Sequence, residues 1–152
     1  MTTIACDRTT MAADSLVTCS GSRNCQTAKI WRHHRSIFGA CGDCPAIAKF
    51  RRWVEAGMPQ TEVPTFDDDA DLGVLELRPD GIYIWDVGLF PDRLEDAEQN
   101  YATGSIGAGV ALYAMRVLNM SPADAMREAC RVDTESGAPV RYLTLDGTGG
   151  TV

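Results

Sequence analysis

The sequence feature that most constrains the fold is a pair of apolar runs on either side of a tight turn. LGVLEL (72–77) and IYIW (82–85) are rich in residues that favour strands, and Pro79, Asp80 and Gly81 separate them. An Asp-Gly turn between two such runs is a strong short-range signal of a β-hairpin. The strands of a hairpin are antiparallel, so the sequence predicts an antiparallel sheet.

Short β-prone runs and helical patterns fill most of the remaining chain. Further strands are predicted over 2–6, 10–14, 28–31, 36–40, 101–105 and 140–145. Helices are predicted over 43–57, 108–119 and 121–132, the last from its Ser-Pro start. The polar stretch 19–26 predicts a loop. Helices set apart from antiparallel hairpins indicate an α+β sandwich.

Length and composition indicate one globular domain spanning 1–152. The chain has 45% hydrophobic and 23% charged residues, and no apolar run is long enough to span a bilayer. A net charge of −7 disfavours contacts with nucleic-acid phosphates, so neither a nucleic-acid nor a membrane partner is expected. The first residues lack the pattern of a signal peptide, which predicts a cytoplasmic protein.

Six cysteines raise the alternative of a structural zinc site. Cys19, Cys25, Cys41 and Cys44 could supply four thiolates. Small buried apolar side chains explain the cysteines more simply, so neither a metal nor a cofactor is predicted. The acidic stretch 66–71 is interpreted as a solvated loop, with a carboxylate metal site as the alternative.

Two threonines directly follow Met1. Methionine is usually removed ahead of a side chain as small as threonine, which would make Thr2 the amino terminus. A terminal threonine carries a hydroxyl and an α-amine on adjacent carbons, and the amine is able to activate the hydroxyl as a nucleophile. The alternative is an ordinary frayed terminus, which these residues taken alone favour.

Six short segments give the chain a family resemblance. In order they are MTTIA (1–5), AADS (12–15), TAKIW (27–31), GACGD (39–43), SIGAG (105–109) and DTESG (133–137). Together they resemble the proteasome β-subunit superfamily, in particular the HslV-type bacterial peptidase subunits and the small proteasome-like proteins of bacteria and phages. The resemblance spans nearly the whole chain. It implies a four-layer αββα N-terminal-nucleophile (Ntn) hydrolase sandwich, with antiparallel sheets flanked by helices.

The resemblance also implies a catalytic role for three matching residues. After removal of Met1, Thr2 would attack a peptide carbonyl, and its own α-amine would take the proton through a water. The positive charge of Lys29 would lower the pKa values of the amine and the hydroxyl. Asp14 would pair with Lys29 and hold it charged and aimed.

Supporting groups follow from the same comparison. The backbone N–H of Cys41 or Gly42 would stabilise the oxyanion, and Asp133 and Ser136 would order the amine of Thr2. One departure concerns the Gly-Ser-Gly segment of the family, which reads Gly-Ala-Gly here with Ala108 at its centre. A serine hydroxyl near the nucleophile is therefore predicted to be missing.

Two functions follow from this comparison. The first is a cytoplasmic threonine endopeptidase that works as a homo-oligomeric ring, cleaves peptides or unfolded proteins, and is fed by an ATP-dependent unfoldase. The second is a catalytically silent relative that serves as a structural or assembly part, for instance of a phage particle, and is located in the virion. The matching side chains favour the peptidase, whereas Ala108 and a retained Met1 favour the silent relative.

Overall fold

Two five-stranded antiparallel sheets form the centre of the computed structural model, which describes residues 2–19, 22–26, 28–95 and 100–152. The first sheet consists, in spatial order, of β10 (Tyr101–Gly104), β1 (Thr3–Cys6), β2 (Thr10–Ala13), β11 (Arg141–Thr144) and β12 (Gly149–Thr151). The second consists of β5 (Ile30–His33), β6 (Ser36–Gly42), β7 (Leu72–Arg78), β8 (Gly81–Trp85) and β9 (Asp92–Arg93). A separate hairpin is formed by β3 (Leu16–Cys19) and β4 (Ser22–Gln26).

Helices cover the outer faces of both sheets. They are α1 (Cys44–Glu55), α2 (Gly107–Val117) and α3 (Pro122–Val132), and a 3₁₀ turn spans Gln60–Glu62. The predicted start of α3 is confirmed, because the Ser121 hydroxyl accepts the N–H of Asp124 and so caps the helix. The layers run α1, second sheet, first sheet, then α2 with α3, so the predicted four-layer sandwich is confirmed.

Three apolar cores hold these layers together. Between the sheets, Ile4 and Met11 of the first sheet join a cluster with Ile37, Leu75 and Leu77 of the second, and all five are buried. Removing such side chains from water contributes about 1.5–3 kcal/mol each. The two sheets are thereby fixed face to face, which places the start of β1 near the end of β6.

The two outer cores differ in the size of their side chains. Aromatic rings dominate under α1, where Phe50 contacts Phe38 and Trp85 edge-on at centroid distances of 6.3 and 5.6 Å. Alanines dominate under α2 and α3, where Ala5 and Ala12 are buried against the two helices. Small side chains let these helices lie close to β1 and β2. They therefore bring α2 and the end of α3 near the start of the chain.

The predicted antiparallel hairpins and helices are confirmed with small shifts at their ends. The predicted loop over 19–26 is wrong, because β4 occupies most of it and pairs with β3. Backbone hydrogen bonds hold a hairpin whatever its side chains, so polar composition was a poor guide there. The glycine-rich strand β12 was also not predicted. Within the described part of the chain, no helix is both long and apolar enough to cross a membrane.

Candidate active site

A cavity of about 450 Å³ opens where the two sheets meet, and Thr2 lies in its wall. The wall is built from residues before β1, at the end of β6, at the start of β7 and at the end of β10. Its lining residues are Thr2, Cys41, Gly42, Asp43, Asp71, Gly73, Thr103, Gly104 and Ser105. The volume lies within the range of small-ligand sites. The structure thus brings Thr2 together with both predicted oxyanion residues, Cys41 and Gly42.

Two glycines let the backbone pass closely at this cavity. Gly42 has a φ of 111°, and a Cβ there would lie 2.2 Å from the carbonyl oxygen of Asp71. Gly104 has a φ of 116°, and a Cβ there would lie 1.8 Å from the carbonyl oxygen of Thr2. Both positions therefore require glycine. At Gly104, the close approach of the two backbones allows the N–H of Ser105 to donate to the carbonyl of Thr2 at 3.0 Å.

Asp14 and Lys29 form a buried ion pair beside the start of β1. The Lys29 Nζ lies 2.8 Å from the Asp14 Oδ1, and the same oxygen accepts the N–H of Thr3 at 2.9 Å. The other carboxylate oxygen accepts the N–H groups of Leu16 and Gly137. The ion pair is thereby fixed next to Thr2, because Thr3 directly follows it in the chain.

The pKa of Lys29 is lowered in this environment. Burial of the ammonium is the largest cause, and the attraction and hydrogen bond of Asp14 oppose it without cancelling it. A lysine with a lowered pKa gives up its proton more easily than an exposed one. A buried lysine whose pKa is shifted in this way is a candidate member of a functional site.

Asp133 and Ser136 form a second polar cluster with two hydroxyls that precede them in the chain. The Asp133 Oδ2 accepts from Ser105 Oγ at 2.6 Å, from Ser136 Oγ at 2.7 Å and from the N–H of Gly107 at 3.1 Å. The Thr3 hydroxyl lies 2.7 Å from both serine hydroxyls. All these side chains are buried, so the cluster fixes the side chain of Thr3, whose N–H is bound by the Asp14 carboxylate.

The pKa of Asp133 is lowered by this network. Burial by itself raises the pKa of the carboxyl, but hydrogen bonds from Ser105, Ser136 and the backbone N–H groups of Glu135 and Gly107 outweigh it. The carboxylate is therefore charged at neutral pH and acts as an acceptor for both serines. Because both serines donate their hydrogens to Asp133, the Thr3 hydroxyl donates its single hydrogen to one of them at a time.

Ser105 is the site residue that the sequence comparison missed. The prediction that no serine hydroxyl lies near the start of β1 is wrong, because Ser105, three residues before Ala108, lines the cavity with Thr2 and contacts the Thr3 hydroxyl. The signal was the Gly-Ser pair at the end of β10. Because glycines recur at 104, 107 and 109, the family's Gly-Ser-Gly segment also matches the later Gly-Ala-Gly segment, which has no serine at its centre.

The remaining cysteines show no metal-site geometry among the described side chains. Across these residues, no group of three or more His, Cys, Asp or Glu is placed to hold a metal ion. The four-thiolate alternative also requires Cys19 and Cys25, whose side chains lie outside the described ones. Cys41 donates to the carbonyl of Gly73 at 3.4 Å, and burial raises the pKa of its thiol. Cys41 therefore serves here as a small neutral wall residue.

Comparison with solved structures identifies the architecture. BPH from Thiobacillus denitrificans matches with a TM-score of 0.66 at 21% identity, covering 93% of this chain and 96% of its own. HslV from Trypanosoma brucei matches with a TM-score of 0.67 at 20% identity, covering 93% and 99%. The fold is that of the proteasome-like Ntn hydrolases. Anbu from Hyphomicrobium sp. strain MC1, as a Gly-1 mutant, matches this Ntn fold with a TM-score of 0.68 at 11% identity, covering 100% and 87%.

Sequence comparison adds nothing to this structural likeness. No protein-family model matches the chain, and no curated protein sequence matches it. The resemblance to the proteasome-like fold is thus confirmed at the level of structure. The structure brings Thr2, Asp14, Lys29, Cys41, Gly42, Asp133 and Ser136 into one region of the Ntn fold. Their catalytic roles stay predictions.

Proposed function

We propose that this protein is a threonine peptidase whose nucleophile is Thr2 once Met1 has been removed. The observation that carries the proposal is the position of Thr2 in the wall of a cavity, with Thr3 anchored to the buried Asp14 and Lys29 pair. Such anchoring holds a terminal hydroxyl in one place at the cavity. A fixed nucleophile contributes to rate because little freedom is lost in the reaction.

The proposed reaction is an acyl transfer in two steps. The Thr2 Oγ attacks the peptide carbonyl, and its proton passes through a water to the α-amine. The tetrahedral intermediate then expels the new amine, which takes that proton back from the α-ammonium. Water hydrolyses the resulting ester and restores the hydroxyl. The α-amine of an N-terminal residue titrates near pH 7.7–8.0, so it is partly able to accept a proton at neutral pH.

The neighbouring groups support these steps in different ways. Lys29 next to the amine lowers its pKa, and the N–H of Cys41 or Gly42 in the cavity wall stabilises the oxyanion. Asp133 and Ser136, with Ser105, hold the Thr3 hydroxyl and so keep the start of β1 in register. The Ser105 hydroxyl also weakens the alternative of a catalytically silent relative, because that alternative rests partly on a missing serine hydroxyl.

The broader assignment belongs to this proposal. A single Ntn domain over 1–152 assembles into a homo-oligomeric ring, works in the cytoplasm, and receives peptides or unfolded proteins from an ATP-dependent unfoldase. HslV from T. brucei and BPH from T. denitrificans, which share the fold, are the basis for expecting this assembly. A phage structural protein in the virion is the alternative if Thr2 proves unreactive.

Two proteins that differ by one residue test the proposal. One retains Met1, and the other begins at Thr2 after proteolytic removal of an N-terminal fusion, with both termini checked by intact mass. We expect only the second to hydrolyse fluorogenic peptides. A peptide epoxyketone has two electrophilic carbons, so it is able to bridge the hydroxyl and amine of one terminal residue. Epoxomicin is a suitable probe because T. denitrificans BPH has been solved in complex with it.

The controls separate the nucleophile from the fold. Thr2→Ala should lose hydrolysis and labelling, whereas Thr2→Ser should retain both, and tandem mass spectrometry should locate the label on Thr2. Undiminished hydrolysis by Thr2→Ala would place the reaction elsewhere. A correctly trimmed and folded protein that neither hydrolyses peptides nor becomes labelled would favour the silent structural relative.

A further inference from the structure

We infer that the cavity beside Thr2 selects peptides that place a lysine or arginine side chain in it. The inference deepens the proposed peptidase function and rests on it. It concerns the two charged residues of the cavity wall, Asp43 and Asp71, which both carry carboxylates. Neither is one of the groups proposed for the chemistry.

The rest of the cavity wall leaves room for a long side chain. Three of its residues, Gly42, Gly73 and Gly104, have no side chain, and Cys41 and Thr103 are small. The cavity of about 450 Å³ therefore has space for a side chain as long as that of lysine or arginine.

Backbone contacts hold the two carboxylate residues in fixed relation. The N–H of Asp43 donates to the carbonyl of Asp71 at 2.7 Å, and the N–H of Asp71 donates to the Asp43 Oδ2 at 2.9 Å. Asp43 stands at the N-terminal cap of α1, yet its side chain makes no cap hydrogen bond with that helix. Its carboxylate is directed across to β7, at the cavity, where it provides negative charge.

An adjoining cavity extends the same charge along the surface. This second cavity, of about 220 Å³, shares Asp43 with the first and is also lined by Asp67 and Asp69. Its one lining lysine, Lys49, donates to the carbonyl of Thr65 at 3.1 Å. Phe66 adds an apolar surface on which the methylene stem of a lysine or arginine is able to pack.

The charge pattern predicts the order of substrate preference. A cationic side chain gains from the carboxylates, a neutral side chain of equal length does not, and an anionic one is repelled. The carboxylates are exposed, so each contributes as a surface ion pair does and is screened by salt. The preference for a basic residue should therefore be moderate and should shrink at high ionic strength.

Three peptides that differ at one residue test the inference. Lysine, norleucine or glutamate precedes the scissile bond, and kcat/KM is measured for the protein that begins at Thr2. We expect lysine to exceed norleucine, and norleucine to exceed glutamate. Asp43→Asn and Asp71→Asn should each reduce the lysine-to-norleucine ratio about 1.5- to 5-fold, as loss of an exposed ion pair predicts.

A matched control removes one carboxylate elsewhere. Asp92→Asn on β9 changes the net charge by the same amount at an exposed residue that lines neither cavity, and it should leave the ratio unchanged. Raising the salt from 0.05 to about 0.5 M should reduce the ratio in the wild type, because the Debye length falls several-fold. Equal turnover of the lysine and norleucine peptides would overturn the inference.

A binding measurement separates failure of the inference from failure of the proposed function. Fluorescence anisotropy of the same peptides, labelled at their N-termini, reports affinity without hydrolysis. Preferential binding of the lysine peptide that depends on Asp43 and Asp71, with no hydrolysis of any peptide, would support the inference and overturn the peptidase. Equal binding of all three peptides would overturn the inference whatever the hydrolysis shows.

Discussion

The Nζ of Lys29 lies 2.8 Å from the Oδ1 of Asp14, and both side chains are almost completely buried. The same oxygen accepts the N–H of Thr3, so one carboxylate joins the cation to the first strand. Taking both charges out of water is costly, and the geometry repays that cost only while both partners are present. Replacing either Asp14 or Lys29 should therefore destabilise the start of β1, but the two replacements should differ in their cost.

Asp14→Ala should destabilise the protein more than Lys29→Met. The first change removes the carboxylate that balances a buried ammonium and accepts three backbone N–H groups, so we expect a loss of about 3–5 kcal/mol. The second leaves the Asp14 carboxylate with those three donors and should cost about 1–3 kcal/mol. Urea unfolding at one fixed protein concentration measures both. Equal losses would show that the backbone contacts of Asp14 contribute little.

Gly107→Ala and Gly109→Ala should change stability in opposite directions. A Cβ on Gly107 would lie 2.8 Å from the Asp133 Oδ2 and the Ser136 Oγ and 2.9 Å from the Thr3 Oγ1, whereas one on Gly109 would meet open space. We expect Gly107→Ala to cost about 1–3 kcal/mol. Gly109→Ala should add about 0.5–1 kcal/mol, because alanine is the better helix former. Thermal unfolding of the two variants compares them, and a stable Gly107→Ala protein would contradict the tight packing described.

Ser105→Ala should lower peptide hydrolysis, whereas Ala108→Ser should not raise it. Ser105 bonds both Thr3 and Asp133, so its loss frees the residue next to Thr2. If Thr2 is the nucleophile, small displacements there reduce the rate by up to about 100-fold. The expected change lies mainly in kcat. Steady-state kinetics of both variants on one peptide decides the matter. Faster hydrolysis by Ala108→Ser than by the wild type would instead support the interpretation that a serine hydroxyl is missing at position 108.

Asp133 should make the folded state more sensitive to acid. Its pKa is below the ordinary 3.8 in the folded protein, so its contribution to stability is complete above pH 3.8. As the pH falls below 3.8, the unfolded chain takes up the proton first, and the contribution is lost towards the folded pKa. In that window the free energy of unfolding should fall by up to about 1.4 kcal/mol more per pH unit than in Asp133→Asn. Identical slopes of stability against pH would contradict the lowered pKa.

The predicted site residues could be found from sequence because they lie in short segments with a recognisable order. Asp14 follows β2 and Lys29 precedes β5, so one hairpin, β3–β4, separates them in the chain. The sequence does not reveal Ser105, because its position depends on which of several glycines lets the chain pass close to the Thr2 backbone. That choice depends on the φ of 116° at Gly104 and on the carbonyl of Thr2, neither of which a residue pattern contains.

The sequence by itself determined most of the antiparallel hairpins and the helices, and its resemblance to a family supplied the set of residues around Thr2. Local turn chemistry, capping and apolar spacing act over a few residues, so they are visible in the chain alone. Only the tertiary structure decided that β4 is a strand, that Ser105 supplies the hydroxyl, and that Asp43 and Asp71 share a cavity with Thr2. β4 is set by its pairing with β3, and Thr3 meets Ser105 about a hundred positions away because β1 pairs with β10. Packing of the two sheets places Asp43 and Asp71 beside Thr2, and the preferences of single residues decide none of these contacts.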